Sequence, residues 1–159
     1  MTRNLHETVV LARSLNDNLI GVCVEALPDK AYGLLGGSDP YHPRSLYPCS
    51  TNLRNNPEWK PLFESYGDFY TKDAGRGFVI SLEEQRDILR EMETRDESFI
   101  GIYHSHRFTA PGPSQLDLDL HIAPHLFCYI VSVVTPESPE LKIYRLEKPR
   151  CEEIPFRVE

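Results

Sequence analysis

The sequence predicts a layered α/β or α+β domain, and two observations support this prediction. Apolar runs typical of buried strands recur along the chain, and segments with helical spacing lie between them. Strands that alternate with helices favour a sheet that is covered by helices. A length of 159 residues is enough for one hydrophobic core, so we expect a single domain over residues 1–159.

In the first half of the chain, residues 2–26 are predicted as a helix, because apolar side chains recur near helical spacing. Pro28 ends this helix, since the residue before a proline is driven away from helical dihedral angles. The apolar segment 31–36 then predicts a buried strand. Residues 38–60 are rich in Pro, Asn and Ser, which predicts loop with a short strand near Leu46 and Tyr47. The aromatic segment 62–77 shows no period and is also predicted as loop.

The second half opens with Ser81-Leu82-Glu83-Glu84, a capping box that predicts a helix as far as about Thr94. Its inward-facing residues are expected to be Leu82, Ile88, Leu89 and Met92. The next predicted elements are a strand that ends in two histidines (residues 99–106), a Pro/Gly loop (107–113) and a short helix (114–122). Two apolar strands (127–134 and 141–146) and a polar tail (147–159) follow.

Composition excludes several classes of function. A net charge of -7 and a pI near 5.4 argue against a nucleic-acid-binding protein, which normally carries a basic patch. No apolar run approaches the roughly 20 residues that cross a bilayer. The first residues lack the basic-then-apolar plan of a secretory signal, and the four cysteines form no Cys-x-x-Cys pair. We therefore expect a cytoplasmic protein that contacts neither nucleic acid nor membrane.

A candidate metal site follows the predicted strand at 99–103. Side chains alternate along a strand, so His104 and His106 point to the same side and can reach one metal ion. Seven residues separate His106 from Ser114, and two more separate Ser114 from Asp117, which adds an anionic ligand. Two imidazoles and one carboxylate with an open fourth position are typical of a catalytic zinc site. Ser114 and Asp117 also match a capping box at a helix start, and the two roles are compatible.

The pattern His-x-His-x7-Ser-x2-Asp resembles the signature of the JAMM/MPN+ metalloproteases. Residues 28–36 resemble the opening segment of that family, Pro-x-Glu-x-Cys-Gly-Leu-Leu, and three further matches bring the likeness to most of the chain: Tyr47-Pro48, Asn52 and residues 130–132. The resemblance implies a curved mixed sheet flanked by helices. It also implies zinc held by His104, His106 and Asp117, with Ser114 donating a hydrogen bond to the oxyanion of the tetrahedral intermediate.

The chain departs from the family pattern at three positions. Tyr32 replaces the usual cysteine, Arg107 replaces a proline, and Lys30 stands where the family has its catalytic glutamate. An ammonium group cannot accept a proton from water, and it is repelled by a divalent cation. Three explanations are compatible with Lys30: an engineered inactive variant, a naturally inactive relative, or an active site that uses another base. Glu25 and Asp29 are the nearest carboxylates in the sequence.

The resemblance implies hydrolysis of the amide that follows the C-terminal Gly-Gly of a ubiquitin-like or sulfur-carrier protein. The main alternative is a catalytically silent module that binds such a tail without cutting it. A third hypothesis, a small-molecule zinc hydrolase or deaminase, is weaker, because the deaminase signature requires a His-x-Glu and a Cys-x-x-Cys that the sequence lacks. For Arg107, the sequence favours a solvated side chain over contact with a substrate carboxylate.

Overall fold

A computed structural model describes residues 7–121 and 123–159. Its strands are Val9–Leu11 (β1), Tyr32–Asp39 (β2), His42–Pro48 (β3), Ser98–His106 (β4), Phe127–Ser132 (β5), Glu140–Glu147 (β6), Arg150–Ile154 (β7) and Phe156–Val158 (β8). Its helices are Arg13–Glu25 (α1), Lys60–Glu64 (α2), Asp68–Lys72 (α3), Leu82–Thr94 (α4) and Gln115–Leu120 (α5). Among the described residues, no helix is both long and apolar enough to cross a bilayer.

Six strands form one mixed sheet in the order β3-β2-β4-β5-β6-β7. The β4–β5 pair is parallel, and the other neighbouring pairs are antiparallel. A parallel pair needs a crossover connection, and here the crossover between β4 and β5 contains α5. The predicted mixed sheet with helices is confirmed.

The core lies on both faces of this sheet. Leu15, Leu19 and Cys23 of α1 are buried in the same apolar cluster as Tyr103 of β4. Ile88 and Met92 of α4 are buried in a second cluster with Tyr32, Leu34 and other residues. Strand β4 is therefore covered on both sides, and it presents its C-terminal end, with the two histidines, as a rigid platform.

Three of the predicted elements were wrong in extent or type. The helix expected over 2–26 begins only at Arg13; Val9–Leu11 form β1, and residues 1–6 lie outside the described part of the chain. Strand β1 pairs in parallel with β8, which lies in the segment expected to be a polar tail. With three residues, β1 is too short to show the alternation of a strand in the sequence. The segment 62–77, expected to be loop, contains most of α2 and all of α3.

The capping box at Ser81 is confirmed in part. Ser81 Oγ accepts a hydrogen bond from the Glu84 N–H at 3.1 Å, as expected. The Glu84 carboxylate, however, accepts from the N–H groups of Ser50 and Thr51, so it anchors a loop and does not return to the cap. Leu82 and Leu89, expected to face inward, are 76% and 43% exposed.

These two leucines miss the core because of helix geometry. Ile88 and Met92 are four residues apart and form one narrow buried stripe. Leu89 is rotated by about 100° from Ile88 at 3.6 residues per turn, so it turns toward solvent. Leu82 lies at the first position of the helix and remains at the surface.

Candidate active site

His104 and His106 occupy the end of β4, beside the end of β5. Both side chains are buried, with relative exposures of 2% and 9%. They lie on the same face of the strand, and their Nε2 atoms are 3.1 Å apart. The Phe78 ring packs against the His104 ring at a centroid distance of 5.5 Å. Alternation along the strand thus brings the two imidazoles together, as the sequence predicts.

Asp117 reaches the histidines from the first turn of α5. Ser114 is the N-cap: its Oγ accepts from the Asp117 N–H at 3.1 Å, and Asp117 Oδ2 accepts from the Ser114 N–H at 2.9 Å. This reciprocal capping box fixes the carboxylate. Asp117 Oδ1 lies 3.2 Å from His104 Nε2, and Oδ2 lies 3.3 Å from His106 Nε2. The cap and the candidate ligand are therefore parts of one arrangement.

The hydrogen bonds of His106 determine which of its nitrogens can bind a cation. Its Nδ1 lies 3.0 Å from the carbonyl oxygen of Ala110, which can only accept, so Nδ1 carries the proton. In the neutral ring, Nε2 then carries a lone pair, and this lone pair faces the Asp117 carboxylate. Two acceptors at this distance repel each other unless a cation lies between them. This orientation of a ligand histidine by a backbone carbonyl is usual in metal sites.

Charge in the site favours the same conclusion. Burial lowers the pKa of His104 to about 4, although the Asp117 carboxylate opposes the shift, so the ring is neutral at pH 7. Burial raises the pKa of the Asp117 carboxyl. His104 and the nearby Lys30 ammonium outweigh that effect, and they hold the pKa of the Asp117 carboxyl well below its usual range. The donor set of two imidazoles and one carboxylate fits zinc. The three ligand atoms lie within 4.8 Å of one another.

Ser105, between the two histidines, was not singled out from the sequence, but it determines where Lys30 lies. Its Oγ accepts a hydrogen bond from the Ala31 N–H at 2.9 Å, and its N–H donates to the Ala31 carbonyl at 2.9 Å. These two hydrogen bonds to Ala31, the residue before β2, hold the preceding residue, Lys30, at the site. A serine within a histidine pair carries no pattern of its own that could have revealed this role.

Lys30 lines the same pocket as His106 and Asp117. Its Nζ lies 5.9 Å from the centre of the Phe78 ring. Burial lowers the pKa of the Lys30 ammonium to about 8; the Asp117 carboxylate opposes this shift, and the Arg107 and Arg76 guanidinium groups add to it. The group is therefore mostly charged at pH 7.

The pocket has a volume of about 270 Å³. Ser114 lies in its wall, and the cap uses its Oγ as an acceptor. Among the described residues, Asp117 is the one carboxylate in the lining, so Glu25 and Asp29 do not reach the pocket. Both of those side chains are exposed. The full lining comprises Lys30, Tyr70, Arg76, Gly77, His106, Arg107, Phe108, Thr109, Gly112, Pro113, Ser114, Leu116 and Asp117.

Arg107 is not the solvated side chain that the sequence favours. Its side chain is 11% exposed, its Nη2 lies 2.7 Å from Asp73 Oδ2, and its Nη1 donates to the Pro28 carbonyl at 3.2 Å. The partner Asp73 follows α3, in the segment expected to be loop, so no local signal could have identified this ion pair. Arg107 therefore connects the segment after α3 to Pro28, which precedes β2, across the pocket.

Comparison with known proteins identifies the family. The pattern described as prokaryotic homologs of the JAB domain matches residues 13–147. The chain belongs to the prokaryotic JAB-domain family. The predicted JAMM/MPN+ relationship is thereby confirmed. In this JAB-domain protein, His104, His106 and Asp117 form a possible metal site with the His-His-Asp composition of a JAMM site.

Relatives of this JAB-domain protein agree with that result. It is 31% identical over 131 residues to the CysO-cysteine peptidase of Mycobacterium tuberculosis. The matched region covers 82% of this chain and 77% of the relative. The protein DSY2949 from Desulfitobacterium hafniense has a similar fold, with a TM-score of 0.74 and 23% identity over 96% of this chain and 93% of the other. AF2198, a JAB1/MPN domain protein from Archaeoglobus fulgidus, gives a TM-score of 0.52 with 18% identity, over 95% and 98% of the two chains.

Proposed function

We propose that the protein is a cytoplasmic zinc metallopeptidase that hydrolyses the amide after the C-terminal Gly-Gly of a sulfur-carrier or ubiquitin-like protein. One observation carries the proposal: a lone pair of His106 and the carboxylate of Asp117 face each other beside His104 at the wall of a pocket. The relative named CysO-cysteine peptidase supports a small carrier protein as the substrate.

In this proposal, His104, His106 and Asp117 hold the zinc ion. When bound, zinc supplies a Lewis acid that lowers the pKa of a water to about 7. His106 is held in the required tautomer by its bond to the Ala110 carbonyl. Ser114 would donate a hydrogen bond from its hydroxyl to the oxyanion at the scissile carbonyl, a contact worth about 3 kcal/mol in comparable enzymes. A Gly-Gly tail suits the approach to this site because glycine has no side chain to clash.

Lys30 limits catalysis in this scheme. It occupies the position of the family's glutamate, and its ammonium can neither accept a proton nor attract a divalent cation. A small fraction of Lys30 is neutral at pH 7, because the pKa is lowered to about 8. Deprotonated Lys30 is the one amine in the lining that can accept a proton. The protein as it stands is therefore expected to be a slow enzyme.

A second candidate function is a silent binding module for the same tail. The observation that favours it is the lining of the pocket, where the described residues offer no carboxylate other than the candidate ligand Asp117. A general base of the family type is then missing, while the pocket and the sheet remain. In this alternative the protein would hold or present its partner without cutting it.

Replacement of Lys30 separates the two functions. Lys30→Glu should raise hydrolysis of a Gly-Gly-linked amide by about 100-fold or more, as expected for a restored general base. Lys30→Gln is the matched control, because it removes the positive charge without supplying a base. Activity would be measured on a carrier protein extended by one residue after Gly-Gly, with zinc content determined in parallel.

The outcomes are distinct. Equal activity of Lys30→Glu and Lys30→Gln would mean that relief of charge repulsion, not a base, is what matters. No cleavage by any form, with tight binding of the tail, would support the binding module. Unchanged binding of a carrier protein after removal of its Gly-Gly, together with no cleavage, would contradict the proposed substrate.

A further inference from the structure

Lys30 is an amine without a carboxylate partner in the wall of the pocket. Among the described lysines, the ones that form ion pairs with acidic residues are Lys60, Lys142 and Lys148. No described carboxylate forms an ion pair or a hydrogen bond with Lys30. Its Nζ lies 5.9 Å from the centre of the apolar Phe78 ring, and burial lowers the pKa of the ammonium to about 8. A lysine amine in such surroundings is available as a nucleophile.

The charges around Lys30 favour an anion at this place. The guanidinium groups of Arg107 and Arg76 are close enough to lower the pKa of the Lys30 ammonium further. Asp73 neutralises Arg107 at 2.7 Å, but the Arg76 Nε is buried without a hydrogen-bond partner among the described residues. The one carboxylate among the described lining residues is Asp117, a candidate metal ligand. The pocket therefore stabilises a further negative charge beside Lys30.

Carbon dioxide is a reagent that converts such an amine into an anion. The lone pair of neutral Nζ attacks the carbon of CO₂, so that an N–C bond forms and one C–O π bond breaks. Its electron pair stays on oxygen, and Nζ releases a proton to solvent. The product is a carbamate, in which the side chain ends in –NH–COO⁻, and nothing is oxidised or reduced. Carbon dioxide carries no charge that must be desolvated, and it is small for a pocket of about 270 Å³.

We propose that Lys30 is a carbamylation site, where CO₂ forms a carbamate that gives the pocket a second carboxylate. The positive charges of Arg76 and Arg107 stabilise this anion. Its oxygens accept protons, which the ammonium of Lys30 cannot do, so the carbamate supplies the proton acceptor that the described lining otherwise lacks. This catalytic role rests on the proposed function, whereas the modification itself does not.

Carbon-13 NMR tests the modification without turnover. The zinc-loaded protein would be equilibrated with ¹³C-labelled bicarbonate, which is in exchange with dissolved CO₂. Its spectrum would be compared with that of Lys30→Gln, in which the amine is absent. The unmodified protein should show an additional carbamate resonance that the variant lacks. The α-amino group and the surface lysines are the same in both proteins, so their carbamates cancel in the difference spectrum.

Two further variants make the comparison specific. Lys30→Arg keeps the positive charge but replaces the nucleophilic amine with a guanidinium that stays protonated, so it should also lose the resonance. Lys60→Gln is the matched control, because Lys60 is exposed on α2 and does not line the pocket. This control should keep the resonance. Thermal unfolding of each variant would check that it is folded.

Identical spectra of the unmodified protein and Lys30→Gln would overturn the inference, and so would a resonance that survives in Lys30→Arg. Loss of the resonance in the folded Lys60→Gln control would overturn it too, because the signal would then not belong to Lys30.

Hydrolysis of the Gly-Gly-linked substrate separates this inference from the proposed function. Bicarbonate should raise the activity of the unmodified protein by about tenfold or more over CO₂-depleted buffer, because a positioned base contributes on the order of 10²–10⁴-fold. Lys30→Glu should not respond to bicarbonate. A carbamate resonance without cleavage contradicts the peptidase but leaves the modification, whereas cleavage that does not depend on CO₂ contradicts the catalytic role of the carbamate.

Discussion

The pocket has two walls that are built in opposite ways. The metal wall consists of His106 and Asp117, which line the pocket, together with His104 beside them; the basic wall consists of Lys30, Arg76 and Arg107. The metal wall lies on β4 and α5, and its orientation depends on strand alternation and a capping box. All three residues of the basic wall lie in irregular chain, and contacts between distant segments hold this wall in place.

The difference shows which interactions each wall needs. In the metal wall, the candidate ligands contact one another within the short segment 104–117. In the basic wall, the main organiser is Arg54, which is 1% exposed and donates to the carbonyl oxygens of Arg76 and Tyr70. Arg54 also stacks on the Phe63 ring at 5.3 Å. The buried Arg54 thus stabilises the segment that contains Arg76, a second cation, which lines the pocket.

Removal of a candidate ligand should have the largest effect. We expect Asp117→Ala to weaken zinc binding by on the order of 1,000-fold, beyond the 10- to 100-fold typical of changes outside the ligand set. Competition with a coloured chelator would measure the affinity. Asp119→Ala is the control, because Asp119 lies on the same helix but bonds to Tyr66 and Gln115. Similar affinity of Asp117→Ala and the unmodified protein would remove Asp117 from the metal wall.

The next largest effect should come from the basic wall. Arg54→Met should lower the free energy of unfolding by about 3 kcal/mol, because carbonyl oxygens of Tyr70 and Arg76 lose their donor. Chemical denaturation would measure the change, with Arg86→Met on the exposed face of α4 as control. A loss below about 1 kcal/mol would show that the segment 55–76 is held by other contacts.

A smaller effect on zinc binding is expected from the hydrogen bond that supports the loop next to His106. Ser132 Oγ donates to the Thr109 carbonyl at 2.8 Å and so fixes the loop whose next carbonyl, that of Ala110, orients the His106 ring. Ser132→Ala should weaken zinc binding by about tenfold. Ser132→Thr, which keeps a hydroxyl, serves as the control. If Ser132→Ala binds zinc normally, the loop does not need this hydrogen bond.

The smallest effect concerns the helix cap. Ser114→Ala should cost about 1 kcal/mol of stability, because the Asp117 N–H loses its acceptor. Ser114→Thr can cap the helix and should be nearly neutral. Denaturant titration of both variants would measure this difference. Equal stability of the two would show that the reciprocal bond from Ser114 N–H to Asp117 is sufficient to hold the turn.

Sequence analysis was most successful where the determinants are local. The same-face histidines depend only on strand alternation, and the Ser114–Asp117 turn depends only on a capping box, so both could be predicted. The resemblance to a known family then supplied the significance of Lys30. Arg76, Ser105 and Arg54 could not be found in this way, because each acts through a partner far away in sequence. The same reason explains why β1 was mistaken for helix and β8 for a polar tail.

The position of the metal wall within residues 104–117 has a consequence for the order of folding. Closing a short loop costs little conformational entropy, so the two histidines and Asp117 can meet early, once β4 and α5 form. The basic wall requires Arg54, Arg76 and Asp73 to meet β4 and the start of β2, which are contacts of much greater sequence separation. We therefore expect zinc that is present during refolding to bind before the pocket between the two walls is complete.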